Sequence, residues 1–504
     1  MKYCGLIIAT ILLLFQFASA QDTLWLKRLD MGNDELAQGI AHRNQVIALA
    51  GYKYELTPDW LLVKCNEQGE TLWTRAFDTG EEEYGIDASI DSEGNILATG
   101  YIYNSEKSNV GVGQGFSLAK YNADPKVCPT FLFLRSLDDR CWRIDQELTA
   151  LTIKYDSAGA IKWQRTEPNK IGVGIVTDNE GNCYVAGSFF TGYGYDFWLG
   201  KYDRNGETLW SRTFDFTIFD IGYRSDIDNE GNLLLTGFCG DGYNFDCILI
   251  KCSPEGDTLW TQFFDRNLLD YGVGVTADQA NNIVVCGLTG DTLNTDYLIL
   301  KYDNNGNLLW STTYSQAKDE EALGVACDAN NNIFVTGVSG ESFLYDYLTI
   351  KLDTAGNILW SAIYDNGSDD EGADVACDDN GNPIVTGGSI GTTNYDLLTI
   401  KYRGEVGIEE PFLKPTPSPN TKLGTSPNAT KIVGSNLIFY ALVSGEFKLE
   451  LYNASGKRER LIHSGYLSQG LYQYPLRDLS SGIHFLRVTS GKENSQVQKL
   501  ILIK

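Results

Sequence analysis

The chain has 504 residues, of which 43% are hydrophobic and 12% aromatic, so it is a folded protein long enough for more than one domain. Its net charge of −26 argues against a general nucleic-acid binder, because phosphate contacts need Lys and Arg. Three histidines argue against a histidine-rich metal centre, and 52 Gly with 2 Met favour turn-rich β structure over helical bundles.

The first twenty residues have the pattern of a secretory signal peptide. Lys2 precedes an apolar run at 5–17, and Ala18, Ser19 and Ala20 form an A-x-A cleavage site. The run is shorter than the ~20 residues of a spanning helix, so the sequence predicts no transmembrane segment in the mature chain. The alternative is an uncleaved membrane anchor.

A repeat of about fifty residues occupies most of the mature chain. A Lys is followed nine residues later by a Trp in six pairs: Lys64 and Trp73, Lys154 and Trp163, Lys201 and Trp210, Lys251 and Trp260, Lys301 and Trp310, and Lys351 and Trp360. Lys401 has no such Trp, and Trp25 has no such Lys. The repeat is therefore circularly permuted, and the strand of Trp25 is expected to complete the last unit beside 397–402.

Each unit predicts four short strands, which in one case fall at 323–328, 332–337, 346–353 and 358–364. Tight turns of the type DNEGN join the first two strands and the last two. First strands begin near Leu36, Tyr84, Ile171, Ile221, Tyr271, Ala322 and Gly372. The fold class predicted for 21–404 is therefore an all-β, seven-bladed β-propeller, with the repeated Trp packed between blades.

The pattern D-x-L-x-x-K-Y-D-x-x-G, with L-W and G-N-x-x-V-T-G, resembles the bacterial SBBP-type β-propeller repeat. The resemblance implies the propeller fold. It implies no catalytic residue, because the family has none in common and propellers serve many functions.

The second unit contains an insert at about 102–149, between its second and third strands. Cys128 and Cys141 lie in this insert and could close a disulfide loop in an oxidising compartment, as could Cys239 and Cys247, which flank one loop. The alternatives for the insert pair are free thiols or a local duplication of the repeat.

The chain changes character after Gly404. A Pro- and Ser-rich linker at 405–430 precedes short strands at 437–442, 447–456, 470–476, 482–491 and 497–504, which predict a small Ig-like β-sandwich at 431–504. Its PSPN, KLELYNASGK, LSSGIHFLRV and QKLILIK segments resemble the C-terminal sorting domain of type IX secretion substrates. The resemblance implies that 431–504 engages secretion machinery and that the protein is secreted or held at the outer cell surface. An unrelated adhesion sandwich is the alternative.

No G-x-S-x-G, H-E-x-x-H or P-loop motif occurs in the sequence. The longer loops of a meander, between strands two and three and between strand four and the next blade, share one face of a propeller, and variable loops on a rigid scaffold commonly bind partners. Candidate ligand-binding residues on this face are Asp34, Glu83, Asp220, Asp270, Glu320, Asp370, Tyr271 and Tyr345. A second set of acids opens strand three: Asp59, Asp196, Asp246, Asp296, Asp346 and Asp396.

These acids could bind a cation such as Ca²⁺, a basic protein or a sugar; the alternative is that they cap turns or are simply solvated. We therefore predict a non-enzymatic extracellular binding or adhesion protein with an unidentified protein or glycan partner, with Ca²⁺ as the one cofactor considered. The alternative function is a secreted polysaccharide-acting hydrolase or lyase, whose charged residues would come from the insert, where Asp138, Asp139, Arg140 and Arg143 gather.

Overall fold

A computed structural model describes residues 23–104, 148–404 and 429–502, apart from gaps at 243, 267, 292–293, 317–318, 342–343, 392–393, 434–435, 442–444, 454–456, 468–469, 476–481 and 491–493. The predicted signal peptide, nearly all of the insert with Cys128 and Cys141, and nearly all of the linker lie outside these residues. The chain divides into two compact units, Met1–Ile408 and Glu409–Lys504.

Every regular element in the described part of the chain is a β-strand, so the all-β prediction is confirmed. The strands of the first half are β1 (Thr23–Leu29), β2 (Asp34–Arg43), β3 (Val46–Tyr54), β4 (Pro58–Asn66), β5 (Thr71–Phe77), β6 (Glu82–Ile90), β7 (Ile96–Tyr103), β8 (Leu148–Tyr155), β9 (Ile161–Pro168), β10 (Lys170–Thr177), β11 (Cys183–Phe190), β12 (Tyr195–Tyr202) and β13 (Thr208–Phe214). Those that complete the first unit are β14 (Phe219–Ile227), β15 (Leu233–Gly240), β16 (Phe245–Cys252), β17 (Thr258–Phe264), β18 (Leu269–Ala277), β19 (Ile283–Gly290), β20 (Thr295–Tyr302), β21 (Leu308–Tyr314), β22 (Asp319–Cys327), β23 (Ile333–Glu341), β24 (Leu344–Leu352), β25 (Ile358–Tyr364), β26 (Asp370–Cys377), β27 (Pro383–Ile390) and β28 (Tyr395–Tyr402).

Successive strands from β2 onward pair in antiparallel four-stranded meanders, such as β2-β3-β4-β5 and β18-β19-β20-β21. One parallel bridge, between Tyr195 and Phe219, joins the meander β10-β11-β12-β13 to the meander β14-β15-β16-β17. The meander β26-β27-β28 is completed by β1, with Trp25 opposite Lys401 and Leu29 opposite Leu397. This is the pairing that the permuted repeat predicts. It joins the N-terminal strand to the end of the unit and removes an open sheet edge.

The first strand of each meander is the innermost one. In order, β2, β6, β10, β14, β18, β22 and β26 each contact the next, and β26 contacts β2. A closed ring of first strands with sheets radiating outward defines a β-propeller. The innermost strands are mostly buried, whereas the outermost strands consist mainly of exposed and half-buried residues.

Hydrophobic residues from adjacent sheets pack together between the blades. One such core combines Val284 and Tyr297 with Ile333 and Leu348 of the following sheet. The repeated Trp extends this contact at the outer strand: the Nε1 of Trp310 donates to the carbonyl of Thr354 at 3.1 Å. Its ring lies over Gly356, whose φ of +84° suits glycine, and a Cβ there would lie only 3.1 Å from the ring.

The second unit contains β29 (Ala429–Val433), β30 (Asn436–Ala441), β31 (Gly445–Asn453), β32 (Arg458–Leu467), β33 (Gly470–Pro475), β34 (Gly482–Ser490) and β35 (Asn494–Leu502). They form two antiparallel sheets, β29-β30-β33 and β32-β31-β34-β35. The sequence analysis does not predict strands β29 and β32. In β32 the charged start, RERL, masks the alternation of apolar and polar residues. In the described residues we find no helix of the length and apolarity that crossing a bilayer requires.

Candidate functional site

The acids near the start of the innermost strands hold the loop that precedes them. In six blades the carboxylate accepts the main-chain N–H of the residue four positions earlier: Glu35 from Met31 at 3.1 Å, Glu83 from Thr79 at 3.0 Å, Asp220 from Phe216 at 2.6 Å, Asp270 from Arg266 at 2.7 Å, Glu320 from Gln316 at 3.3 Å and Asp370 from Asn366 at 2.8 Å. All six residues are fully buried. Each carboxylate therefore caps the loop that links one blade to the next.

The first blade differs from the sequence-based prediction by one residue. Glu35, not Asp34, takes the repeated acidic position, because the β2–β3 hairpin turns through Asn44 and Gln45 and is one residue shorter than the hairpins of the other blades. The carboxylate of Asp34 instead accepts the N–H of Tyr395 at 2.8 Å, which ties the first blade to the last.

Burial raises the pKa of these acids because it disfavours the charged form. The pKa of Glu35 and of Glu320 rises to about 7, and that of Asp370 to about 6, although hydrogen bonds from the loops oppose the rise. Neighbouring acids add to the effect, as Asp296 does for Glu320. The loop side of the ring therefore contains carboxylates that are costly to ionise.

Three groups of acids bring possible ligand oxygens within 4.8 Å of one another, and these are the places where the described residues could hold a cation such as Ca²⁺. The groups are Asp30 with Glu35 and Asp396, Asp59 with Asp78 and Glu83, and Asp196 with Asp215 and Asp220. Each combines the acid that opens strand three, an acid of the inter-blade loop and the buried capping acid. The sequence reasoning found the first and third positions and missed the loop acid, which lies five residues after a repeated Trp.

Two of these groups already contain a basic side chain. The guanidinium of Arg28 lies 2.6 Å from the carboxylate of Asp396, and the Nζ of Lys53 lies 3.3 Å from that of Asp59. In the third group, burial and the neighbouring Asp215 and Asp220 raise the pKa of Asp196 to about 6.

The two tyrosines predicted as ligand-binding residues on the loop face are core residues. Tyr271 and Tyr345 are almost completely buried and belong to one hydrophobic cluster that draws on every blade. The ring of Tyr271 lies 4.3 Å from that of Phe238, centroid to centroid. Aromatic side chains of the inner strands fill the centre of the ring, so these two rings are not displayed to a ligand.

An arginine that the sequence analysis did not single out crosses the centre of the ring. The guanidinium of Arg224 lies 3.0 Å from the carboxylate of Asp87 and 3.7 Å from that of Asp374. It also donates to three main-chain carbonyls of other blades, at Gln38 (2.5 Å), Ile86 (3.3 Å) and Val173 (3.4 Å). Burial raises the pKa of Asp87 and of Asp374, and the charge of Arg224 opposes this rise.

The two aspartates also join blades directly. The carboxylate of Asp87 accepts the N–H of Ile175 at 2.9 Å, and that of Asp374 accepts the N–H of Ile40 at 3.1 Å. In other innermost strands a small residue, such as Gly274, follows the β-bulge. Asp87 and Asp374 replace it in their strands, and this replacement is the sequence signal that could have identified them. The centre is thus held by charges that are fully engaged within the fold.

The opposite side of the ring contains the tight hairpins, and here the repeated Lys forms buried ion pairs. The pairs join Lys154 to Asp91 at 2.8 Å, Lys251 to Asp228 at 2.7 Å, Lys301 to Asp278 at 2.9 Å and Lys401 to Asp378 at 2.7 Å. Hydrogen bonds from Lys and Asn outweigh burial and lower the pKa of these aspartates. The first hairpin has no such Asp, and there the Nε2 of His42 lies 2.8 Å from the carboxylate of Glu67.

The predicted disulfide between Cys239 and Cys247 is wrong, since both residues are free thiols. In the β15–β16 pair, Cys247 lies opposite Phe238 and Cys239 lies opposite Asp246, so the cysteines are one register step apart. Adjacent positions point to opposite faces of a sheet. Cys239 accordingly packs in the core on one side of the blade and Cys247 in the core on the other.

No family model matches the chain, and no curated protein matches it. Solved structures with a similar fold include the polysaccharide lyase Uly1, at 9% identity and a TM-score of 0.41, covering 73% of this chain and 90% of that one. The sialidase of Trypanosoma rangeli is 9% identical with a TM-score of 0.42, over 96% of this chain and 90% of that one. The β-propeller domain of the Trilobed protease from Pyrococcus furiosus is 10% identical with a TM-score of 0.40, over 74% and 96%.

Proposed function

We propose that this chain is an exported, non-enzymatic binding or adhesion protein, in which a seven-bladed β-propeller of the SBBP type presents its loop face to an extracellular protein or glycan. Loop face here means the side formed by the loops between strands two and three and by the loops between blades. The proposal rests chiefly on the contrast between this face and the hairpins opposite. Hairpin acids such as Asp228 pair with buried Lys, whereas on the loop face Asp196 and Asp215 have no basic side chain beside them in the described part of the chain.

The strand order supports a count of seven blades, because seven first strands contact one another in sequence and β1 completes the last sheet. A rigid ring of this kind suits binding, because rotamers and strands are held by packing while the loops remain variable.

We further propose that export uses the signal at 1–20 and that residues 431–504 are an Ig-like sorting domain that engages type IX-like secretion machinery, leaving the protein on the outer surface or in the medium. The two-sheet arrangement of the second unit supports this assignment. Deletion of 431–504 in the native host should leave the propeller in the periplasm. Normal surface display of the truncated chain would contradict the proposal.

Binding and catalysis are separated by one set of assays on the purified mature chain. A glycan array and a panel of immobilised peptides test binding, and a polysaccharide-degradation screen tests the hydrolase or lyase alternative. We expect reversible binding without product release. Product formation that is lost when residues 105–147 are deleted would replace the binding function by an enzymatic one.

A further inference from the structure

An exposed apolar patch lies on the loop face at the junction of the third and fourth blades. It comprises Tyr193, Phe216, Ile218 and Phe263, whose exposed fractions are 96%, 37%, 55% and 51%. Exposed apolar surface of this kind, bordered by polar groups, is typical of an interaction site.

Contacts place the segments that carry these four residues next to one another. The rings of Phe216 and Phe263 meet edge to face at a centroid distance of 5.7 Å. The N–H of Tyr195 donates to the carbonyl of Ile218 at 3.1 Å, and Gly194, next to Tyr193, lies against the same carbonyl. The patch therefore spans the loop between β11 and β12, the loop between β13 and β14, and the outer strand β17.

The acidic group formed by Asp196, Asp215 and Asp220 borders this patch, since Asp215 directly precedes Phe216. Asp220 is fully occupied by the N–H groups of Phe216 and Thr217 and by the hydroxyl of Thr217. Over the described ranges, no hydrogen bond or ion pair reaches the carboxylates of Asp196 and Asp215.

The same position at two other junctions shows what this group lacks. At those junctions a basic side chain lies beside the aspartate that opens strand three: Arg28 beside Asp396, and Lys53 beside Asp59. In both cases the basic side chain comes from a strand of the same sheet as the aspartate. Of the three acidic groups, the one with Asp196 adjoins an exposed apolar patch and has no basic side chain from the described part of the chain.

We propose that the junction of the third and fourth blades is a docking site for a protein segment that carries Arg or Lys next to an aromatic or aliphatic side chain. The basic group lies between Asp196 and Asp215, as Arg28 lies beside Asp396, and the apolar neighbour covers Phe216, Ile218 and Phe263. This inference rests on the proposed binding function and identifies its partner class and its site.

The negative charge of the chain favours such a partner at a distance, and the contact between charges favours it at the site. A peptide with acidic groups would meet three carboxylates and is excluded by repulsion. A sugar would leave the acids without a counter-charge, and a bare metal ion would leave the apolar patch uncovered.

The test measures binding of four hexapeptides to the full mature chain by fluorescence anisotropy: (Arg-Trp)₃, (Glu-Trp)₃, (Arg-Ser)₃ and (Ser-Trp)₃. We expect (Arg-Trp)₃ to bind best. Its affinity should fall about tenfold when the salt concentration rises from about 50 to about 500 mM, because salt screens the attraction between exposed charges. The double variant Asp196→Asn/Asp215→Asn and the variant Phe263→Ser should each weaken binding about tenfold or more.

Two control variants resemble these without touching the patch. Ile363→Ser removes an equally exposed apolar residue at the same position of another outer strand, and Asp379→Asn removes an exposed acid from a hairpin. Both should bind (Arg-Trp)₃ within about twofold of the parent, since exposed residues outside a contact change affinity little.

Equal binding of (Arg-Trp)₃ by the parent and by the two patch variants overturns this inference while leaving the proposed binding function intact. A calcium titration and a glycan array complete the set. The inference is also overturned if (Arg-Trp)₃ does not bind while calcium or a glycan binds in a way that depends on Asp196 and Asp215. If no peptide or glycan binds the parent at all, the proposed function itself fails.

Discussion

The two faces of the propeller use the same side-chain chemistry with opposite electrostatic results. On the hairpin face, Asp228 is buried beside the ammonium of Lys251, and its pKa lies below the usual range. On the loop face, Glu320 is buried beside main-chain N–H groups and other acids, and its pKa rises to about 7. Burial penalises both carboxylates, and the presence of a paired cation decides the sign.

This comparison indicates a division of labour within each repeat. The hairpin face is a closed network in which Lys, Asp and the hairpin backbone satisfy one another, so it contributes to the cohesion of the ring. The loop face carries excess negative charge and exposed apolar residues, which a partner could neutralise and cover.

The largest expected effect comes from the centre, between the two faces. Arg224→Met leaves Asp87 and Asp374 buried without their cation and removes hydrogen bonds to several blades. We expect the free energy of unfolding to fall by about 5 kcal/mol, measured by urea denaturation at pH 7.5. Arg204→Met, an exposed change, should cost less than about 0.5 kcal/mol. A loss below about 1 kcal/mol for Arg224→Met would mean that the central charges contribute little.

A single hairpin ion pair tests the first half of the comparison. Lys251→Met leaves Asp228 buried and unpaired, and we expect a loss of about 3 kcal/mol at pH 7.5. Replacing both partners, as Lys251→Met with Asp228→Leu, should recover part of this loss because no charge then remains uncompensated. If the single variant is as stable as the parent, the hairpin network is not a source of cohesion.

Stability as a function of pH separates the two faces directly. The pKa of Glu320 is raised in the folded state, so its contribution is complete below about pH 4.5 and is lost as the pH rises to about 7. The pKa of Asp278 is lowered, so its contribution is present above about pH 4 and is lost on further acidification.

Two neutral variants should therefore behave oppositely. Glu320→Gln should gain stability relative to the parent as the pH rises from 5 to 8, by about 1 kcal/mol, because the parent must ionise a buried acid. Asp278→Asn should be less stable than the parent at pH 7 and approach it near pH 3. Urea denaturation at five pH values measures both differences. Parallel curves for the two variants would contradict the assignment of opposite pKa directions.

A further small effect concerns the contact between blades at the outer strands. Gly356→Ala places a Cβ against the ring of Trp310 at a φ of +84°, which should cost about 1–2 kcal/mol. Gly367→Ala has a similar φ of +87° but no atom within 4 Å of its Cβ, so it measures the backbone cost alone. The difference between their unfolding free energies gives the contribution of the packing, and equal losses would show that the Trp contact adds nothing.

Much of the architecture could be predicted from the sequence because the repeat records it locally. The spacing between Lys and Trp, the DNEGN turns and the alternation of apolar residues indicate four strands per unit, and the unmatched Trp25 and Lys401 indicate which strands close the ring. Hairpins and their turns depend on residues close in sequence, so the sequence alone contains the information that predicts them.

The sites depended on contacts between distant residues, and there the sequence was insufficient. A hairpin that is one residue shorter moves the repeated acid from Asp34 to Glu35. A single register step separates Cys239 from Cys247, and the two candidate tyrosines turn inward. Arg224 meets Asp87 and Asp374 only because the ring brings the innermost strands of different blades together. The sequence shows the same acidic residue whether its carboxylate pairs with Lys251, caps a loop or lies open beside Phe216. Burial and the position of the nearest cation decide which of these roles it takes, and only the tertiary structure determines both.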